Sequence, residues 1–140
     1  MDSVALRPRL VSFRVVSFSG KNDLSGERLE ISIEVTNQIE LDLRVPEEEG
    51  HPLQAFVMIR MFGRIFVPDQ LDNSVGEFEA RYEARFVYPI EATEAEISPR
   101  FEHEPYQYTL VAQAFPLAAS HFRRELLAMG LDTRNLPLGL

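Results

Sequence analysis

The 140-residue sequence predicts one α+β domain of two layers over residues 1–140, in which a four-stranded antiparallel sheet is followed by C-terminal helices. Two patterns in the sequence predict this fold. Apolar and polar residues alternate over residues 29–45 and 77–88, as in strands with one buried face. Apolar residues recur at steps of four and three over residues 115–129, as in an amphipathic helix. The chain has no cysteine, so disulfides cannot staple the layers together.

The first predicted strand covers residues 10–18, LVSFRVVSF, which are rich in β-branched and aromatic side chains. The cluster Ser19-Gly20-Lys21-Asn22-Asp23 that follows is typical of a turn and predicts the end of this strand.

Residues 29–45 carry the clearest strand pattern, with apolar side chains at odd positions and polar ones, half of them acidic, at even positions. Period two predicts one buried face and one solvent-facing face. The segment is either one long strand or a hairpin that turns at Asn37-Gln38, and the unbroken alternation favours one strand. The stretch from Pro46 to Pro52 then ends the pattern.

Residues 53–67 predict a strand that is apolar on both faces, because aromatic residues and methionine also fill even positions: Phe56, Met58, Phe62 and Phe66. Such strands are normally covered on both sides. One helical layer covers only one side, so we expect a partner subunit, a ligand or further chain on the other. Gly63 within this run indicates a bulge or a close approach of backbone.

Residues 77–88 predict the fourth strand, and the polar, glutamate-rich residues 90–105 predict a long connection. Residues 106–113 fit a strand and a helix equally well. A helix is then predicted to begin at Pro116, which suits a first helical position, and to end before Gly130. Its apolar face is formed by Phe115, Ala119, Phe122, Leu126 and Met129. The tail, residues 131–140, cannot be helical through Pro137.

The composition excludes several functions. A net charge of −8 argues against nucleic acid and anionic lipid as partners. We expect a cytoplasmic protein, because the sequence contains neither a signal peptide nor an apolar run long enough for a membrane span. It contains no phosphate-binding loop, HExxH motif or nucleophile elbow, so we expect no enzyme, cofactor or metal. Glu102-His103-Glu104 is expected to be a solvated loop, since no second histidine stands at ligand spacing.

The order of these features resembles the SecB family of bacterial export chaperones. The residues that carry the resemblance are Phe115-Pro116, Arg123 or Arg124, Gly130 and Leu136-Pro137-Leu138, which follow a four-stranded sheet. Val15-Val16-Ser17-Phe18 is similar to the first strand of the family, and residues 83–88, EARFVY, stand where the family has its last strand.

The resemblance implies an ATP-independent chaperone that holds unfolded polypeptide in apolar grooves and forms a dimer or a tetramer. SecA or an antitoxin are the partners it implies. Exposed aromatic and methionine side chains would form such grooves. We therefore expect polypeptide to bind six residues: Phe56, Met58, Phe62, Phe66, Phe115 and Phe122. The alternative is a binding module that holds a small apolar ligand between sheet and helix.

Overall fold

The computed structural model describes residues 6–24, 31–67 and 73–132. Four strands, β1 (Arg9–Asn22), β2 (Ser32–Arg44), β3 (Gln54–Phe66) and β4 (Ser74–Val87), form one antiparallel sheet in the order β1-β4-β3-β2. A short helix α1 (Glu94–Ile97), a 3-10 turn (Ser98–Glu102) and the long helix α2 (Glu104–Ala128) follow. The predicted α+β fold of two layers is confirmed.

The first strand is longer than predicted, because the turn-like residues 19–22 belong to β1. Gly20 is opposite Phe78, and Asn22 is opposite Gly76. Pairing with β4 along the whole strand therefore outweighs the local preference of these residues for a turn. β1 has register shifts between Leu10 and Ser12 and between Val15 and Ser17. Leu10, Phe13 and Phe18 pack against the core beneath the helix.

The segment that could have been a hairpin is one strand. β2 pairs with β3 without a register shift from Ser32 opposite Phe66 to Arg44 opposite Gln54. Residues 29 and 30, the start of the predicted pattern, lie outside the described residues.

The long helix begins at Glu104, twelve residues before the predicted start at Pro116. Residues 106–113 are helical, and Pro105, not Pro116, occupies the first turn. Pro116 lies inside the helix, where it lacks an N–H to donate to the preceding turn. The buried residues Leu110, Val111 and Ala114 extend the apolar stripe ahead of Pro116, and their burial against the sheet offsets the cost of that proline.

The predicted connection over residues 90–105 also contains helical structure. Thr93 caps α1: its Oγ1 accepts a hydrogen bond from the N–H of Glu96 (3.3 Å), and Glu96 Oε1 accepts from the N–H of Thr93 (3.2 Å). This is a capping box, and its signature Thr-x-x-Glu is present in the sequence.

The end of α2 is as predicted. Gly130 has a φ of +87° and donates to the carbonyl of Leu127, while Leu131 donates to that of Leu126. These two bonds form a Schellman motif, which needs a left-handed residue at Gly130. Residues 133–140 of the predicted tail lie outside the described residues.

Helix α2 packs on one face of the sheet, against β1, β3 and β4. The Tyr106 hydroxyl bonds to that of Tyr88 at its start, and Asn22 Nδ2 donates to the carbonyl of Met129 at its end. Gly63 allows the close approach predicted for it: a Cβ there would lie 3.2 Å from Cζ of Phe122. No register shift occurs at Gly63, so close approach, not a bulge, explains the glycine.

Candidate functional site

The sheet face that carries α2 is only partly covered. The odd-numbered apolar residues of β3 are buried in the core beneath the helix. Their neighbours on the same face of β2 are only half-buried, because β2 is the edge strand beyond the helix. We call these β2 residues the inner strip: Ile33, Val35, Ile39, Leu41 and Leu43.

The inner strip lies beside an open strand edge. β2 pairs with β3 on one side, and no described strand pairs with it on the other. Alternate N–H and C=O groups along that edge can therefore accept a further strand, as in β-augmentation. An extended polypeptide laid along β2 would find backbone partners at the edge and apolar side chains on the inner face. The sequence predicted this apolar face but placed it in a buried core, because periodicity does not show which strand is at the edge.

The opposite face of the sheet carries the even-numbered residues of β3. We call Phe56, Met58, Phe62 and Phe66 the outer stripe. The first is buried, with 6% of its surface exposed, and the other three are half-buried. Arginines provide part of the cover: the guanidinium of Arg44 lies 3.9 Å from the ring centroid of Phe56, and that of Arg60 lies 4.8 Å from the ring of Phe62. Long side chains of the same chain thus supply cover that was expected from a partner.

On the outer face of the sheet, side chains of opposite charge are neighbours within and across strands. Glu79 accepts hydrogen bonds from Nη2 of Arg60 (2.9 Å) and Nε of Arg81 (3.4 Å). The bond from Arg60 is the main reason that the pKa of Glu79 is lowered, and Arg81 lowers it further. Arg60 and Arg81 are directly opposite each other in the register, so the shared carboxylate relieves a like-charge repulsion.

The six residues predicted to bind polypeptide do not lie on one surface. Phe115 and Phe122 face the other way, into the core between α2 and the sheet, with 2% and 0% of their surfaces exposed. Phe122 packs edge-on against Phe18 of β1, with the ring centroids 6.3 Å apart. A polypeptide could reach these two rings only by displacing the helix.

Three polar contacts lie at the edge of the core beneath α2. The hydroxyl of Tyr82 is 2.9 Å from Nδ1 of His121, and Nε2 of His121 is 3.4 Å from Glu125. Tyr88 bonds to Tyr106 near the start of the helix. Burial is the main reason that the pKa values of Tyr82 and Tyr88 rise far above 10, the ordinary value.

We expect the free energy of unfolding to fall as the pH rises above 10. The unfolded chain releases the Tyr82 and Tyr88 protons near pH 10, whereas the folded chain retains them to higher pH. The stabilisation is therefore complete below pH 10 and is lost above it, by about 1 kcal/mol for each tyrosine between pH 10 and pH 11. Urea denaturation at both pH values measures the loss, which should be smaller in Tyr82→Phe. A free energy of unfolding that is the same at pH 10 and pH 11 would contradict this prediction.

Several exposed apolar side chains lie in places that the sequence did not predict. Val11, Val15 and Val16 are exposed on β1, the other edge strand, and Tyr108 and Leu117 are exposed on the solvent side of α2. Leu127 continues the exposed set on the helix. Val15 and Val16 belong to the strand predicted from the sequence. The register shift beside them, which leaves both exposed, cannot be recognised from the order of apolar and polar residues.

Within the described ranges, no helix is long and apolar enough to cross a membrane. In the same part of the chain, no three His, Asp or Glu residues are grouped as metal ligands. His103 caps the start of α2 by its backbone carbonyl, which accepts from Tyr106 and Gln107, and it separates Glu102 at the end of the 3-10 turn from Glu104 at the start of α2.

Comparison with solved structures identifies the fold. The chain is similar to the SecB-like chaperone Rv1957 of Mycobacterium tuberculosis, solved in complex with a ChAD peptide from the HigA1 antitoxin. The TM-score is 0.57 at 16% sequence identity, over 92% of this chain and 88% of that chain. No family model and no curated protein matches the sequence. The fold is that of a SecB-like chaperone, and the predicted resemblance is confirmed at this level.

Proposed function

We propose that this SecB-like chain is an ATP-independent holdase that binds unfolded polypeptide. The observation that carries the proposal is the inner strip, a row of half-buried apolar side chains beside an unpaired edge of β2. Burying one such side chain against a client contributes about 1.5–3 kcal/mol, and the strand edge adds backbone hydrogen bonds that do not depend on the client sequence. Broad affinity for extended, apolar segments follows.

The similar structure supports this proposal, since Rv1957 was solved with a peptide bound. The clients we propose are an antitoxin, as for that chaperone, or chains destined for export with SecA as the receiving partner. A cytoplasmic location fits both clients, and holding a client requires no catalytic group and no cofactor. The outer stripe, with Phe56, Met58, Phe62 and Phe66, is the second surface proposed for client contact.

We expect the protein to suppress aggregation of an unfolding client, such as reduced α-lactalbumin, at stoichiometric amounts and without ATP. Light scattering of the client over time measures suppression, and gel filtration detects the complex. Bovine serum albumin at equal mass is the control for a non-specific effect. Aggregation at the uninhibited rate, with no complex on the column, would contradict the proposal.

The rival function is a module for a small apolar ligand between sheet and helix. Native mass spectrometry separates the two, because a ligand adds a small mass and a client adds a polypeptide. The packing favours the client: residues between α2 and the sheet, such as Tyr82, Phe86 and Phe122, are almost fully buried against one another.

We also propose that the chain forms a homodimer or a tetramer. The exposed apolar residues on β1 and on the solvent side of α2 supply surfaces that a second copy would bury. The outer stripe, for which a partner subunit was one of the expected covers, is a further such surface. Light scattering over a dilution series is expected to report a mass that is a multiple of 16.0 kDa. A 16.0 kDa particle that persists at high micromolar concentration would refute the oligomer.

A further inference from the structure

A cavity of about 630 Å³ opens between the segment before β1 and the first turns of α2. Its apolar part is formed by Leu6 and Leu110, which are almost fully buried, together with Pro8 and Pro105. This volume falls in the range of sites that bind small ligands or single side chains. No described residue of β2 lines the cavity, so it is separate from the inner strip.

The described side chains around this cavity include basic groups and no acidic ones. Arg7, Arg100 and His103 line it, and no described aspartate or glutamate does, although the chain as a whole carries a net charge of −8. None of these three side chains belongs to an ion pair with any described residue. Glu102 and Glu104 flank His103 in the chain but do not line the cavity.

The other polar side chains of the cavity already have partners within the chain. The hydroxyl of Tyr106 bonds to that of Tyr88. Thr109 Oγ1 donates to the carbonyl of Tyr106 (2.6 Å), and Gln113 Nε2 donates to that of Thr109 (3.0 Å). Guanidinium groups only donate hydrogen bonds, so a ligand must supply acceptors. A carboxylate accepts two parallel bonds from an arginine, and the positive end of the α2 dipole favours the same charge.

We propose that this cavity binds a carboxylate attached to an apolar group. The basic residues Arg7, Arg100 and His103 hold the carboxylate, while Leu6 and Leu110 contact the apolar group. Such a ligand is either a polypeptide C-terminus that ends in an apolar residue or an aliphatic carboxylic acid. A phosphate has no apolar group to contact Leu6 and Leu110, so it is not the expected ligand.

Titration of the full chain, followed by amide NMR, tests the inference with four probes: octanoate, acetyl-Ala-Ala-Leu-Leu as the free acid, the same peptide as the amide, and inorganic phosphate. We expect octanoate or the free acid to shift amides of residues 100–113 saturably, and the amide peptide to bind at least tenfold more weakly. Which of the two carboxylates binds identifies the source. Binding of phosphate alone, or equal binding of acid and amide, overturns the proposal.

The double variant Arg7→Gln/Arg100→Gln is expected to weaken carboxylate binding at least tenfold. Arg64→Gln/Arg85→Gln, on the outer face of the sheet, removes the same charge and is expected to change binding less than twofold. An equal loss in both variants would assign the effect to net charge and overturn the site. The titration measures binding of the small probes themselves, so its outcome does not depend on whether the protein holds unfolded clients.

Discussion

Replacing Phe122 by alanine is expected to lower the free energy of unfolding by about 3–5 kcal/mol. The ring is fully buried and lies against the backbone of Gly63 and the ring of Phe18, so it joins α2 to both β3 and β1. Truncation would leave a cavity at this junction, and the sheet, paired along its whole length, cannot collapse to fill it. Urea denaturation followed by circular dichroism measures the loss.

Arg124→Ala provides the control, because it truncates a long side chain that is exposed on the same helix. Its effect is expected to stay within about 0.5 kcal/mol, as for most surface substitutions. A domain of this size is typically stable by about 5–15 kcal/mol, so the Phe122 variant should unfold at a much lower urea concentration than the control. Equal midpoints for the two variants would show that the helix does not depend on Phe122.

The sheet could be predicted in most respects from the sequence, because each long strand has a face whose apolar residues recur with period two. β3 and β4 have the predicted buried faces, and β2 is the single strand that the unbroken alternation favoured. The start of α2 could not be predicted in the same way. Pro116 has the local properties of a first helical residue, and only the burial of Leu110 and Val111 against the sheet shows that the helix starts earlier.

The candidate site was harder to predict because it depends on strand order. Alternation in residues 29–45 predicts a buried face, but β2 is at the edge of the order β1-β4-β3-β2, and α2 packs mainly on β1, β3 and β4. The side chains of the inner strip, which the alternation placed in the core, are therefore only half-buried. Conversely, Phe56 seemed to need a partner but is covered by Arg44 from the neighbouring strand, and a cross-strand contact of this kind requires knowledge of the register.

The two faces of β2 allow a direct test of where a client binds. The double variant Val35→Asp/Leu41→Asp places two charges on the inner strip, whereas Thr36→Asp/Gln38→Asp places two charges on the opposite face of the same strand. Both variants change the net charge equally, and all four positions are at least partly accessible. Any difference between them therefore reports the face and not the charge.

We expect the inner-strip variant to bind a fluorescent unfolded client at least tenfold more weakly than the parent chain. Each substitution removes an apolar side chain whose burial contributes about 1.5–3 kcal/mol. The new carboxylate must also lose water when the client binds. A loss of about 1.4 kcal/mol already corresponds to a tenfold change in affinity. Fluorescence anisotropy measures the affinity, and circular dichroism checks that both variants fold. The outer-face variant is expected to lose less affinity than the inner-strip variant, because it removes no apolar side chain. The reverse result, with loss confined to Thr36→Asp/Gln38→Asp, would assign the client to the outer stripe around Phe62 and Met58, because Thr36 is opposite Phe62 in the register.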